Sequence, residues 1–372
     1  MLTKADDYPI HQTPEPVAFS GTDRNFYDRY FFNGFEPDGS IFFMIALGLY
    51  PHLNIIDCNF SILVDGRQHC LRGSRILNSE RMDISVGPMR LDIVEPLRVL
   101  RFTVAEQNGI AADISFKGRS FPIQEPRFTR RIGTRAFQDV TRMTQNGRWS
   151  GWISIDGRRI DLSDLAMGTR DRSWGVRPIG DSDTQTIVPA GPQGYFWQWT
   201  PVSFSDFSLF YHISAEPDGT IWNRRSALAF DDAGADHHRE TLDTHMETTL
   251  EAGTVWPEHG LLTSRFGADI YQVEFRPFQR FQMKGAGYFH PEWYHGRYHG
   301  ALRVEREDFD VDPIDPAPMQ NWHVQRLSQL TLTRPDGRTE QSVGVFEQAI
   351  IGAYEPLGVK SDREIARWDQ KD

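Results

Sequence analysis

Trp149-Ser-Gly-Trp-Ile-Ser-Ile-Asp-Gly-Arg-Arg-Ile-Asp-Leu-Ser-Asp-Leu165 decides the fold class. Apolar and polar residues alternate over Trp149–Ile155. Asp156-Gly157 tolerates the positive φ of a type I′ turn, and Arg158–Leu165 returns, so the stretch reads as a β-hairpin. The same reading applies to Asn54–Val64, Asp65-Gly66 and Gln68–Ile76, and to Leu330–Thr333, Pro335-Asp-Gly337 and Gln341–Phe346. Five Asp-Gly pairs (38–39, 65–66, 156–157, 218–219, 336–337) and three Asn-Gly pairs (33–34, 108–109, 146–147) recur as hairpin signals. Helical periodicity is confined to Ser361-Asp-Arg-Glu364, a capping box ahead of Ile365, Ala366 and Trp368, which predicts a short C-terminal helix. His237–Leu250 is a weaker candidate for a short helix or a long loop. Many short strands at regular spacing predict an all-β protein of sandwich or barrel architecture.

A chain of 372 residues exceeds one ordinary core. We expect two antiparallel β-domains, 1–180 and 190–372, joined near Ile179–Gly194, which is rich in Gly, Pro, Asp, Ser and Thr. A loose repeat supports them: Tyr30-Phe31-Phe32 precedes an apolar strand, and so does Tyr195-Phe196-Trp197. The formal net charge of −11 disfavours nucleic-acid and anionic-membrane partners. No apolar run is long enough to span a bilayer, and no secretion signal opens the chain, so a cytoplasmic location is expected. Cys58 and Cys70, in neighbouring strands, read as buried free thiols.

Gly168-Thr-Arg-Asp-Arg-Ser-Trp-Gly-Val-Arg-Pro178 concentrates three arginines, a carboxylate and a tryptophan near the midpoint. As a strand it puts Arg170, Arg172 and Trp174 on one face and Asp171 and Ser173 on the other. Asp171 then reads as a proton donor or acceptor tuned by arginines, or as one half of a structural ion pair. Arg170 and Arg177 would hold a polar substrate end. A second cluster, Gly287–Gly300, carries His290, Glu292, Trp293, Tyr294, His295 and His299. His295 is its candidate acid/base, and its spacing disfavours metal ligation. Tyr195, Trp197, Trp199 and Tyr211 are candidates for the wall of a pocket that also shields positive charge. Glu347, a carboxylate in the apolar strand Gly344–Gly352, needs a buried partner or a cavity. Asp308, Asp310, Asp312 and Asp315 lack the pattern of a calcium loop.

The Arg170-Asp-Arg-Ser-Trp-Gly175 motif, the aromatic strand Tyr195–Trp199 and the closing Gly344–Gly352 strand together resemble a two-domain lipocalin-like superfamily. It includes carotenoid 1,2-hydratase (hydroxyneurosporene synthase) and lipocalin-like Diels–Alderases, and a bacterial branch is nearest in pattern. The resemblance implies two consecutive lipocalin-like barrels, a hydrophobic small-molecule substrate bound within or between them, and no metal or organic cofactor. It leaves room for a homodimer and implies no membrane insertion. Asp171 falls where the hydratases carry an acidic residue; they tend to follow it with His, and here Arg172 stands there.

The sequence reading is therefore a cofactor-independent enzyme acting by hydration or dehydration, isomerisation or cyclisation on a bulky apolar molecule (isoprenoid, steroid-like or aromatic). Asp171, His295 and Glu347 are its candidate acid/base groups. The alternatives are a non-catalytic carrier of such a ligand and, more weakly, a metal-dependent hydrolase built on His290–His299.

Overall fold

The computed structural model describes residues 2–11, 23–182 and 194–360. The chain divides into two compact units, Met1–Gly191 with Gly285–Phe309, and Pro192–Lys284 with Asp310–Asp372. Residues 285–309, expected in the second domain, thus belong to the first unit. The expected C-terminal helix and most of the expected linker lie outside the described residues.

The first unit contains strands β1 Phe26–Phe35, β2 Phe42–Tyr50, β3 Ile55–Val64, β4 Arg67–Ile76, β5 Ser85–Val86, β6 Met89–Glu95 and β7 Val99–Gln107. It continues through β8 Ile110–Gly118, β9 Ile123–Gln124, β10 Phe128–Ile132, β11 Arg135–Ile155, β12 Arg158–Asp161 and β13 Met167–Val176. The second unit contains β14 Tyr195–Ser203, β15 Phe207–Ala215, β16 Ile221–Phe230, β17 Arg239–Thr241, β18 Thr244–Leu250, β19 Pro257–Phe266 and β20 Asp269–Gln282. Then β21, Leu302–Asp310, joins the first sheet beside β4, and β22 Val324–Thr333 and β23 Thr339–Ile351 complete the second. The segment His237–Leu250 is mostly strand, not helix or long loop: its alternating exposure in β18 is the period of a half-buried strand. Among the described residues no helix is long and apolar enough to cross a membrane.

The two sheets share one topology. The main path of the first runs β21-β4-β3-β2-β1-β13-β11-β8-β7-β6-β5, and the second runs β17-β16-β15-β14-β23-β22-β20-β19-β18. In each, the opening strand (β1 or β14) pairs with both the second strand and a much later one (β13 or β23), so the sheet curls into a nearly closed barrel. The loose aromatic repeat falls on β1 and β14, the two equivalent opening strands.

The turn signals split. Asp65-Gly66, Asn108-Gly109 and Asp156-Gly157 have positive φ at both residues and form type I′ hairpins. Asn33-Gly34 and Asn146-Gly147 are not turns; both lie inside strands, with Gly34 and Gly147 flanking Gly168 across the sheet. A Cβ on Gly34 would lie 2.2 Å from the Phe43 ring, and one on Gly147 2.4 Å from the Phe116 ring. The glycines make room for rings, not for a turn.

Those rings are the core of the first barrel. Phe32, Phe43 and Phe116 pack edge-on to Trp149, with ring centroids 5.2–5.7 Å apart, and Phe60 joins through Phe43 and Phe102. Trp149 Nε1 donates to Asn33 O at 2.8 Å. Burying each ring contributes about 1.5–3 kcal/mol. A comparable cluster, including Phe207, Tyr211, Leu262, Phe275 and Phe346, fills the second barrel. Tyr211, read from sequence as pocket wall, is therefore core.

Candidate active site

The central motif is part of β13, and its two faces have separate roles. Arg170 and Arg172 lie opposite Phe32 and Tyr30 of β1, on the core side. They are sealed there by the N-terminal segment. Arg170 pairs with the buried carboxylate of Asp7 and donates from Nε to Gln145 at 2.6 Å. Arg172 pairs with Asp28, donates to Tyr8 O at 3.0 Å, and lies 4.1 Å from the Tyr30 ring centroid. Trp174 stacks on His11 at 3.6 Å. Arg170 and Trp174, candidates for substrate contact, thus anchor the N-terminal segment instead.

Asp171 points the other way, opposite Phe31 and Thr144. Its carboxylate lies 3.6 Å from Arg142 Nε, and Arg142 is itself gripped by Glu125 at 2.8 Å. Ser173, Arg29 and Tyr27 share this face through the strand register.

The same face carries Asp57, which the sequence reading passed over. Asp57 sits near the start of β3, across from Gly48 of β2 and Ser74 of β4, and is 6% exposed. It accepts hydrogen bonds from Gly296 N (2.7 Å) and Tyr50 Oη (3.2 Å). Burial pushes its pKa up to about 6 from 3.8, against the opposing pull of the Gly296 bond, Arg29, Tyr50 and Arg177. Tyr50 reaches Asp57 because Gly48 has no side chain: a Cβ there would lie 2.1 Å from the Tyr50 hydroxyl. Gly296 is likewise required, with φ of +80° and Tyr50 and Leu53 within 3.3 Å of its missing Cβ. The rule that singles out Glu347, a carboxylate inside an apolar strand, would also have found Asp57 in Ile55-Ile-Asp-Cys-Asn-Phe60.

Residues 285–300 cover this face. Arg29, 3% exposed, donates from Nη1 to Tyr288 Oη at 2.5 Å and places Nη2 3.3 Å from His295 Nε2. His295 Nε2 also lies 2.8 Å from Ala286 O. Arg177 lies with its guanidinium 4.4 Å from the Tyr27 ring centroid, and its charge also acts on Tyr50 and Asp57. A satellite apolar cluster of Tyr27, Tyr50, Ile55, Val140 and Ile179 adjoins these groups, with Leu53 and Phe128 packed against it. Asp171 and His295 thus share one face of the first sheet with Arg29.

The rest of the histidine cluster is structural. His290 Nδ1 accepts from the backbone of Glu292 and Trp293, and Nε2 faces Glu307 at 3.2 Å. His299 stacks on Trp293 at 4.1 Å; burial, then Arg303 and Arg297, lower its pKa. Tyr294 donates to Asp181. The Glu292 side chain is exposed. Among the described residues no three His, Cys, Asp or Glu side chains gather as metal ligands. Cys58 faces the core and Cys70 lies 3.0 Å from Ser61 Oγ; both are free thiols.

Glu347 belongs to the second unit. It is buried and accepts from His323 Nε2 at 2.7 Å, Gln325 Nε2 at 2.6 Å and Trp197 Nε1 at 3.3 Å. Trp199 lies beside it across β14, edge-on to Phe210. Tyr195 opens β14 half-buried.

A family model matches residues 2–360. The chain belongs to DUF8625, described as a family of unknown function. A search of curated proteins returned no match. Among solved structures, a protein of Nitrosomonas europaea designated AttH is similar at TM-score 0.52 and 14% identity, over 92% of this chain and 98% of that one. CghA is similar at TM-score 0.50 and 10% identity, over 93% and 95%. Kievitone hydratase of Nectria haematococca gives TM-score 0.45 and 11% identity, over 87% and 88%. At such identities the likeness is one of fold: this chain has the two-barrel lipocalin-like architecture that its motifs resemble.

Proposed function

We propose that the first unit carries a proton-transfer site for a small organic molecule with a bulky apolar body, and that Asp57 moves the proton. The observation that carries this is a buried carboxyl whose pKa is lifted to about 6, within the field of two arginines and beside an apolar cluster. Such a group exchanges its proton readily near neutral pH, as a general acid or base must. Tyr50 and Gly296 N–H fix the orientation of the carboxyl. Arg29 and Arg177 would stabilise oxygen that gains negative charge in the transition state. Asp171 balances the arginines as a positioning residue, and His295 offers a second acid/base group on the same face. Hydration or dehydration, double-bond isomerisation and cyclisation all fit this chemistry. A non-catalytic carrier could use the same apolar cluster, but it has no need of a buried carboxyl whose proton exchanges near neutral pH.

The test is a panel of isoprenoid, steroid-like and aromatic alkenes incubated in D2O, with product formation and deuterium uptake read by mass spectrometry. Asp57→Asn is expected to lose about 100-fold or more of the activity. A folded Asp57→Asn that keeps it removes Asp57 from the mechanism.

A further inference from the structure

The Nε–H and Nη2–H groups of an arginine lie side by side and match the two oxygens of a carboxylate. Among the described residues, four arginines use that edge on both oxygens of a carboxylate, one of them Arg306, which grips Asp308 at 2.9 and 2.8 Å. Arg101 grips Asp113 at 2.7 and 2.6 Å, Arg127 grips Asp139 at 2.7 and 2.7 Å, and Arg142 grips Glu125 from the same two nitrogens. Arg177 presents the same edge, yet its Nε and Nη2, both buried, have no hydrogen-bond acceptor among the described residues. Asp57 feels its charge but is engaged by Tyr50 and Gly296. Arg29 Nε, also buried, lacks an acceptor as well. Donors of a charged group buried without acceptors are unfavourable, and a site that binds an anion is where they are retained.

We propose that Arg177 anchors a ligand carboxylate side-on, with the guanidinium held against the Tyr27 ring and the ligand's apolar body on the Ile55, Val140, Ile179 and Phe128 wall. The substrate class is then a monoanionic carboxylic acid with an aromatic or alicyclic body. This rests on the proton-transfer reading of the same site. A planar monoanion suits the fork. Asp171 and Asp57 on the same face disfavour a dianion such as phosphate.

Benzoate and its neutral isostere benzamide test this by calorimetric titration of the full chain, a measurement independent of turnover. Benzoate is expected to bind one site, and at least tenfold more tightly than benzamide. Arg177→Met should weaken benzoate at least tenfold and leave benzamide little changed. Arg177→Lys, which keeps the charge without the fork, should also weaken benzoate severalfold. Asp57→Asn should retain benzoate binding even where it abolishes turnover. Equal affinity for benzoate and benzamide, no benzoate binding, or unchanged benzoate binding in both Arg177 variants overturns the proposal. Because Asp57→Asn separates binding from chemistry, any of these results leaves the proton-transfer reading to its own test.

Discussion

Replacing Asp57 with Asn should stabilise the protein at alkaline pH while destroying its activity. The folded carboxyl has a pKa of about 6 against 3.8 for an ordinary aspartate, chiefly through burial. That difference corresponds to about 3 kcal/mol. Since the folded pKa is raised, the folded state holds the proton more tightly than the unfolded chain. The stabilisation this gives is complete below pH 3.8 and lost as pH rises through 6. At pH 8 the folded protein keeps a buried anion that Asn does not impose. Urea unfolding of wild type and Asp57→Asn at pH 4.5 and pH 8 isolates this one group, because every other titration is common to both chains. The stability of the variant relative to wild type should rise by about 2 kcal/mol between those two pH values. A difference that does not change with pH would refute the argument, since it would mean that the folded carboxyl titrates as an ordinary aspartate.

Other expectations follow from the same geometry. Tyr50→Phe removes a hydrogen bond that favours the ionised carboxylate, so the Asp57 limb of the pH–rate profile should move to higher pH. Gly48→Ala forces the phenol aside and should shift the profile in the same direction without removing Tyr50. Arg170→Met leaves Asp7 buried without its counter-charge and should cost about 3–5 kcal/mol of stability by urea unfolding, part of which Asp7→Asn restores in the double variant.

The hairpins and the repeat were legible because they are local: a two-residue turn and an alternating strand are read within a dozen residues. The division of the central motif was legible too, since Asp171 and Arg170 need only the period of a strand to face opposite ways. The destination of residues 285–309 was not. Strand β21 pairs with β4 across more than two hundred residues, and nothing near Leu302 records that partner. Asn33-Gly34 and Asn146-Gly147 misled because glycine serves a crowded ring as well as it serves a turn. Arg170 and Arg172 drew attention as charge in a strand, but their carboxylates, Asp7 and Asp28, come from a segment more than 140 residues away. Asp57 was hidden by its apolar neighbours and is made unusual only by Tyr50, Gly296 and the two arginines that the fold brings to it.

The central claim is that one buried carboxyl on the first sheet holds its proton into the neutral range. Titration of the Asp57 side-chain 13Cγ resonance by NMR, assigned by its loss in Asp57→Asn, tests this most directly. The account predicts a midpoint near pH 6. A midpoint near 3.8 would mean that the group is an ordinary ionised aspartate, and the proton-transfer site would have to be sought elsewhere.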